Sequence, residues 1–485
     1  MNRPNLQHSL ISACHKRRDR LASMIQAKTG GGVVILGTAP EKVRNRDSDF
    51  PYRHDSDFYY LTGFEEPAAT LVMLVSKSSY ETHLFCRPKD LEREIWDGYR
   101  LGPQEAPALL LMNAAYPNSE LDQKLPDFLA DQDAVYVKLA AASENDASLR
   151  HWMNTVRQRA RTGVNAPEVF HDIESVIHEM RLFKDPEEIE IMRHAAAISA
   201  QAHIRAMRSC KPGKREYQLE AELLYEFRYH GAESVAYNSI VAAGANACVL
   251  HHRAGSAELF DGDLCLIDAG CELHGYASDI TRTFPVNGRF SSAQRALYDI
   301  TLAAQQAAVD ATRPGHSFID PHQAAVRVLT QGLIDEKLIR IDEVGSLDHA
   351  IEAGAYKRFY MHRTSHWLGM DVHDVGSYRE LDTVTQPGTE RPWRTLQENM
   401  VLTIEPGLYI RPAEDISEAF WNIGIRIEDD ALVTANGCEL ISRGVPVDPL
   451  EIESTWWSQC PCPNDRECIG GNDGTAWGFP GLRTS

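Results

Sequence analysis

Four carboxylates are set into runs of sequence that otherwise read as buried strand, and this feature most limits what the chain can fold into. Asp268 stands in LCLIDAG, Asp279 in YASDITRTF, Glu405 in LTIEPG and Glu428 in IRIEDD. A carboxylate leaves water only when it is paired, hydrogen-bonded or bound to a cation. Any one of the four, taken alone, is most simply a strand-end group with its head in water. All four together, in a chain that also places His362, His366 and His373 within HRTSHWLGMDVHDVG, argue for a shared polar centre in a β-rich frame.

The spacing sharpens this. LCLIDAG, a polar turn containing Gly275, and YASDITRTF predict a hairpin that brings Asp268 and Asp279 to one end of a sheet. Two like charges that close require a cation. Arg426 and Glu428 lie two apart and share a strand face, while Ile425 and Ile427 take the other. Oxygen-rich ligation with one imidazole suits Mn²⁺, Co²⁺ or Zn²⁺ better than it suits a thiolate zinc site. Four carboxylates balance two divalent ions, and a pair of ions that share a hydroxide and polarise a carbonyl is the equipment of metal-assisted hydrolysis.

Around this centre the chain divides. VVILG at 33–37 and TLVMLV at 70–75, mixed with helical stretches, predict an α/β first domain. Asp185 as N-cap, Pro186 at the first helical position and Glu187 and Glu188 in the first turn predict a long amphipathic helix that opens a second domain, with the boundary near Arg181. A second helix is expected over 216–229, ending at Gly231. Short β runs follow, including MVLTIE at 400–405 and IGIRIEDD at 423–430, with a loop from Leu381 to Arg394. The expected division is 1–180 for the first domain, 181–455 for the second, and a flexible tail over 456–485.

Composition and the remaining motifs exclude other classes. Apolar residues at 43% and charged residues at 24% fit a folded globular chain. A net charge of −20, with Lys16-Arg17-Arg18 as the one basic run, argues against nucleic acid as a partner. No apolar run approaches the ~18–20 residues of a membrane span, and the N-terminus has no secretory pattern, so a cytoplasmic location is expected. Seven cysteines are scattered singly, which suits reduced thiols. Cys460, Cys462 and Cys468 lack the fourth ligand of a structural zinc site. His362 and His366 are four apart, but Arg363 stands where a helical zinc-protease motif carries its glutamate. Neither a phosphate-binding glycine loop nor a G-x-S-x-G elbow is present.

Taken together, IDAGCELHGYASDITRTFPVNG, HRTSHWLGMDVHDVG, LTIEPGLY and GIRIEDD resemble the pita-bread metallopeptidase family, and within it the Xaa-Pro aminopeptidase (aminopeptidase P) group. SDFYYLTGFEEPAATLVML and EIWDGYRLG extend the resemblance into the first third, so that it covers about residues 30 to 455. It implies an α/β (α+β) architecture, with a creatinase-like N-terminal α/β domain before a pita-bread catalytic domain. It implies Asp268, Asp279, His366, Glu405 and Glu428 as ligands of two divalent ions, Mn²⁺ first and Co²⁺ or Zn²⁺ next, with Asp279 and Glu428 bridging.

The resemblance also implies that the histidines divide the work. His366 binds metal, while His362, His373 and His251 line the substrate site, where the first two bond the scissile carbonyl or shuttle protons. His252 is a bystander, and Arg426 orients Glu428. Tyr237 and Tyr409 match family positions, but the sequence leaves them between a site role and ordinary packing. The implied activity is release of the N-terminal residue from Xaa-Pro-Yaa peptides by a metal-bridging hydroxide, with Glu405 relaying its proton, in a homo-oligomer. Alternatives are a prolidase, a phosphotriester hydrolase on the same fold, or a non-catalytic interaction module. The last would be marked by lost ligands, and all five are present. Arg363-Thr364 departs from the small and apolar pair usual in the family and introduces a charge near the substrate.

Overall fold

The computed structural model describes residues 3–139, 143–381 and 388–457. Of the expected tail, Trp456 and Trp457 close the helix Pro449–Trp457; the rest, with Cys460, Cys462 and Cys468, lies outside the described residues. Most of the 381–394 loop's centre lies outside them too.

The first half is built on a six-stranded mixed sheet. In spatial order its strands are Ala114–Pro117, Tyr80–Cys86, Thr70–Val75, Gly32–Gly37, Ala134–Val137 and Val169–Asp172. The run Val33–Leu36 is continuously apolar because both faces of this sheet are covered. Val34 and Leu36 pack with the helices on one side, Val33 and Ile35 with Leu125, Trp152 and Val156 on the other.

Helix Pro186–Ser209 then opens the second half. Asp185 accepts from Glu188 N and Glu188 Oε2 accepts from Asp185 N, both at 2.9 Å. This reciprocal cap satisfies two of the amide groups that a helix start leaves bare, and such a cap is worth about 1 kcal/mol.

Two helical pairs each precede a set of antiparallel strands. Pro186–Ser209 and Glu216–Tyr229 lead into Ile240–Ala243, Leu264–Asp268 and Thr281–Pro285, which pair in that order. Ser292–Ala311 and Asp320–Asp335 lead into Val401–Ile404, Asp429–Thr434 and Gly437–Leu440, with Gly407–Ile410 pairing Ile423–Arg426 beside them. A bridge between Thr281 and Glu428 joins the two sets.

The predicted hairpin is more broken than its sequence pattern. Asp268 pairs with Thr281, but beyond them Cys271–Leu273 and Tyr276–Ala277 turn away into a separate small sheet with Ser234–Val235. The backbones cross closely where they part. A Cβ on Gly270 would stand 1.7 Å from Ser278 O, which no side chain could accommodate. Asp279 is thereby released from the ladder, and its N–H is held instead by the Asp430 carboxylate at 3.2 Å. No helix among the described residues is long and apolar enough to cross a membrane.

Candidate metal centre

Asp268 ends its strand, Asp279 sits at the parted crossing, Glu405 follows Val401–Ile404, and Glu428 lies between Ile423–Arg426 and Asp429–Thr434. Each therefore projects from a point where regular pairing stops, and all line one cavity of about 1080 Å³. His366 enters from the 362–376 loop. Its place is fixed by Trp367, which is wholly buried and packs against Phe318 at 4.6 Å and Tyr378 at 5.6 Å between ring centres.

Ligand atoms of Asp279, His366 and Glu428 lie within 4.8 Å of one another. His366 Nε2 is 3.5 Å from Asp279 Oδ2 and 3.7 Å from Glu405 Oε1. Tyr237 ties the first two carboxylates together, its hydroxyl 2.5 Å from an oxygen of both Asp268 and Asp279. Arg426 donates to Asp268 Oδ2 at 2.6 Å, to Tyr409 Oη at 2.9 Å and to Thr281 Oγ1 at 3.2 Å. Thr281 in turn donates to Glu428 Oε2 at 2.5 Å. Arg426 thus differs from expectation: it grips Asp268 directly and reaches Glu428 only through Thr281. The reason is that strand pairing stops after Arg426, so the two residues do not share one regular strand face.

This donor set fits divalent ions. His366 Nδ1 lies 2.9 Å from Trp367 O, a carbonyl that only accepts, so that nitrogen carries a proton and Nε2 is the one left to face the carboxylates and to bind an ion once it gives up its own proton. The protein alone leaves the centre short of positive charge. Burial, then repulsion from Asp279, raises the Glu428 carboxyl well above its usual range, and burial also raises Asp279. Glu405 is pushed up to about 7, chiefly by burial. His366 is held at about 9: burial works against its charge, but Asp279 and Glu405 outweigh it. Groups that retain protons against their ordinary values are groups awaiting a cation.

The other imidazoles differ in their freedom. His362 is occupied on both sides, with Nδ1 2.7 Å from Arg363 O and Nε2 2.8 Å from Tyr409 Oη. Burial, followed by Arg426, lowers it to about 3 and keeps it neutral. His373 stacks on His366 at 4.0 Å, and burial followed by His366 lowers it to about 4. Among the described residues, neither His373 nor His251 has a hydrogen-bond partner, so their ring nitrogens stand free at the cavity wall. His252 is no bystander. It lies 2.9 Å from the fully buried Glu216, which also holds Gly255 N and Asn246 Nδ2 and so fixes the loop carrying His251.

Three comparisons bear on this centre. The model of metallopeptidase family M24 matches residues 190–435, and that of the aminopeptidase P N-terminal domain matches 14–136. The Xaa-Pro aminopeptidase of Escherichia coli strain K12 is 44% identical over 447 residues, spanning 92% of this chain and 98% of the relative. That of Haemophilus influenzae is 41% identical over 90% and 96%. Among solved structures, Pseudomonas aeruginosa aminopeptidase PepP is similar with a TM-score of 0.86 and 46% identity, covering 92% of this chain and 98% of that one. A variant of Escherichia coli aminopeptidase P in complex with substrate gives 0.87 and 42% over the same shares. The expected architecture, an α/β first domain before a pita-bread domain, is thereby shown.

Proposed function

The chain belongs to metallopeptidase family M24, and from that membership and the site we infer that it is a dinuclear-metal aminopeptidase, releasing the N-terminal residue from peptides with proline in second position. The observation that carries this is the convergence of four carboxylates and one imidazole in a cavity of substrate size, in a chain similar to an Xaa-Pro aminopeptidase along 98% of that relative. The domain division at 180/181 is proposed with it, supported by the capped helix that starts at Pro186.

Asp268, Asp279, His366, Glu405 and Glu428 are the proposed ligands. The ions would polarise the scissile carbonyl and lower the pKa of a water to make it nucleophilic. The remaining work falls to the chain. Glu405 stands 3.7 Å from both His366 Nε2 and His362 Nδ1, so it is the carboxylate placed to pass a proton between the ion site and the imidazole beyond it. Arg426 donates to Tyr409 Oη at 2.9 Å, and Tyr409 Oη lies 2.8 Å from His362 Nε2, a series that holds the neutral imidazole in place. His373 and His251, with unengaged nitrogens, are proposed to bond the carbonyl oxygen as charge develops on it.

Proline's nitrogen has no N–H, and its ring fixes φ. Selection for it must rest on apolar shape, for which Ile240, Phe318, Val372 and Trp393 provide wall. Mn²⁺ is proposed as the working ion ahead of Co²⁺ and Zn²⁺, on the oxygen-rich donor set. A cytoplasmic location is supported by the seven described cysteines, none of which is in a disulfide and six of which are buried. A homo-oligomer is proposed from the family alone.

The test is hydrolysis by chelator-stripped protein, with and without added Mn²⁺, of Xaa-Pro-Yaa, Xaa-Pro and Xaa-Ala-Yaa. Mn²⁺-dependent release of the first residue from the proline tripeptide alone is expected. Cleavage of the dipeptide alone would reassign the protein as a prolidase, and no cleavage with metal bound would end the peptidase reading.

A further inference from the structure

Arg363 and Thr364, the two residues that depart from the family's usual pair, separate in the fold. Thr364 turns inward, fully buried, with its hydroxyl 2.6 Å from Tyr360 Oη and 2.9 Å from His322 Nδ1. Arg363 turns outward and lines the mouth of the cavity that holds the metal centre.

Among the described residues Arg363 has no ion pair and no hydrogen bond from its guanidinium. Its guanidinium lies 5.4 Å from the Trp393 ring, but that ring already carries Arg379 at 3.6 Å, so Arg363 is not what holds it. Arg253 stands at the same mouth, likewise exposed and unpaired. In a chain with a net charge of −20, whose cavity floor is lined with carboxylates, two free guanidiniums at the opening are a local reversal of sign. Arg363 is also launched from a fixed point, since its carbonyl is bonded to His362 Nδ1 at 2.7 Å.

The direction of the substrate follows from the proposed activity, on which this inference rests. An aminopeptidase holds the amino end at the metal, so the residues beyond the proline leave through the mouth. We propose that Arg363, backed by Arg253, is a carboxylate-binding subsite on that leaving side and selects peptides with a negative charge just beyond the proline. The carboxylate has two sources, the free C-terminus of a tripeptide or an acidic third side chain. A planar fork with five donors binds either one bidentately.

The test compares kcat/KM for matched substrates, using Mn²⁺-loaded full-length protein. One arm sets Ala-Pro-Ala against its C-terminal amide, and the other sets Ala-Pro-Glu-Ala-amide against Ala-Pro-Gln-Ala-amide. A ratio within one enzyme cancels differences in folding and metal loading. An exposed ion pair predicts a preference of about two- to fivefold for the charged member, weakening with added salt. Arg363→Ala should bring the ratio most of the way to one, the double variant Arg253→Ala/Arg363→Ala the rest, and Arg363→Glu should invert it. Collapse in the first arm alone assigns the site to the terminal carboxylate, in the second alone to an acidic side chain. Ratios in Arg363→Ala equal to those of the wild type in both arms, or no preference in the wild type, would overturn the subsite. Failure to release alanine from any of the four peptides would instead overturn the peptidase reading.

Discussion

Thr281 shows how small a residue can be while still setting the geometry of a charged site. Its hydroxyl donates to Glu428 and accepts from Arg426, so one oxygen connects the two sets of strands and the guanidinium that grips Asp268. Replacing it with valine keeps the shape and removes only that oxygen. Groups that orient metal ligands typically cost 10–100-fold in affinity or activity when lost. Thr281→Val should therefore weaken Mn²⁺ binding by roughly tenfold or more in a calorimetric titration, with little change in Tm of the metal-free protein. An unchanged affinity would remove Thr281 from the orienting set. At this scale the acidic residues were legible because a carboxylate inside an apolar run is anomalous. Thr281 and Asp430 were not, since a threonine in a strand or a second aspartate after a glutamate violates no pattern. Tyr237 and Tyr409 were left open for the same reason: a buried phenol is ordinary until its hydroxyl partners are known.

The 362–376 loop has little regular structure, yet it must hold three histidines in register with strands from elsewhere. Trp367 anchors one end, and a buried ionic cluster anchors the other. Arg181, from the helix Glu174–Leu182, donates to Asp57 at 2.6 Å, Asp374 at 2.6 Å and Asp371 at 2.8 Å, while Lys184 reaches Asp374 at 2.8 Å. Burial alone would raise the Asp374 carboxyl, but Lys184 and Arg181 outweigh it and hold it below its ordinary value. A folded-state pKa below that of the unfolded chain, about 3.9, contributes stability that is complete above about pH 4 and is lost as the pH falls further. Asp374→Asn should cost about 3–5 kcal/mol near neutral pH, because it leaves buried cations unpaired. It should also flatten the fall of Tm below about pH 4. Equal acid slopes in the two proteins would show that Asp374 does not titrate on unfolding. The helices at 186–209 and 216–229 were legible from their caps and spacing. The parting of the hairpin after Asp268 was not, because LIDAG and YASDITRTF alternate well enough for one continuous ladder, and the close backbone crossing that Gly270 permits is visible only in the fold.

At the scale of the molecule, a boundary drawn from composition hides how far the two halves share one interior. The core beside the N-terminal sheet includes Tyr276, Leu368, Met370, Val401 and Leu432 from the second half, packed with Val34, Leu36, Phe58 and Met73 from the first. Arg53 adds polar ties across the same contact, to Glu272 and to Met370 O, both at 2.7 Å. That 33–37 and 70–75 lie in strands, and that an α/β half precedes a β-rich one, followed from local pattern, whereas the other four strands of the first sheet did not. Which face of the second half the first would cover did not, since apolar residues committed to a shared core and to a private one look alike along the chain. The consequence is testable. Leu368, Met370, Val401 and Leu432 are each nearly inaccessible, and burying such side chains is worth about 1.5–3 kcal/mol apiece. Their sum is on the order of a whole domain's net stability of about 5–15 kcal/mol. A fragment comprising residues 181–457 should therefore not fold as an independent unit. It should bind a hydrophobic dye, unfold without cooperativity and fail to take up Mn²⁺ with the affinity of the full chain. Co-expression with residues 1–180 should restore all three properties, because the missing surface is supplied without a peptide bond. A monomeric fragment that melts cooperatively and binds Mn²⁺ as the full chain does would mean that the shared interior stabilises the arrangement of the halves but not the metal centre itself. In that case Asp57 would be dispensable for placing His373, and the fragment's kcat on a proline tripeptide would match that of the intact enzyme.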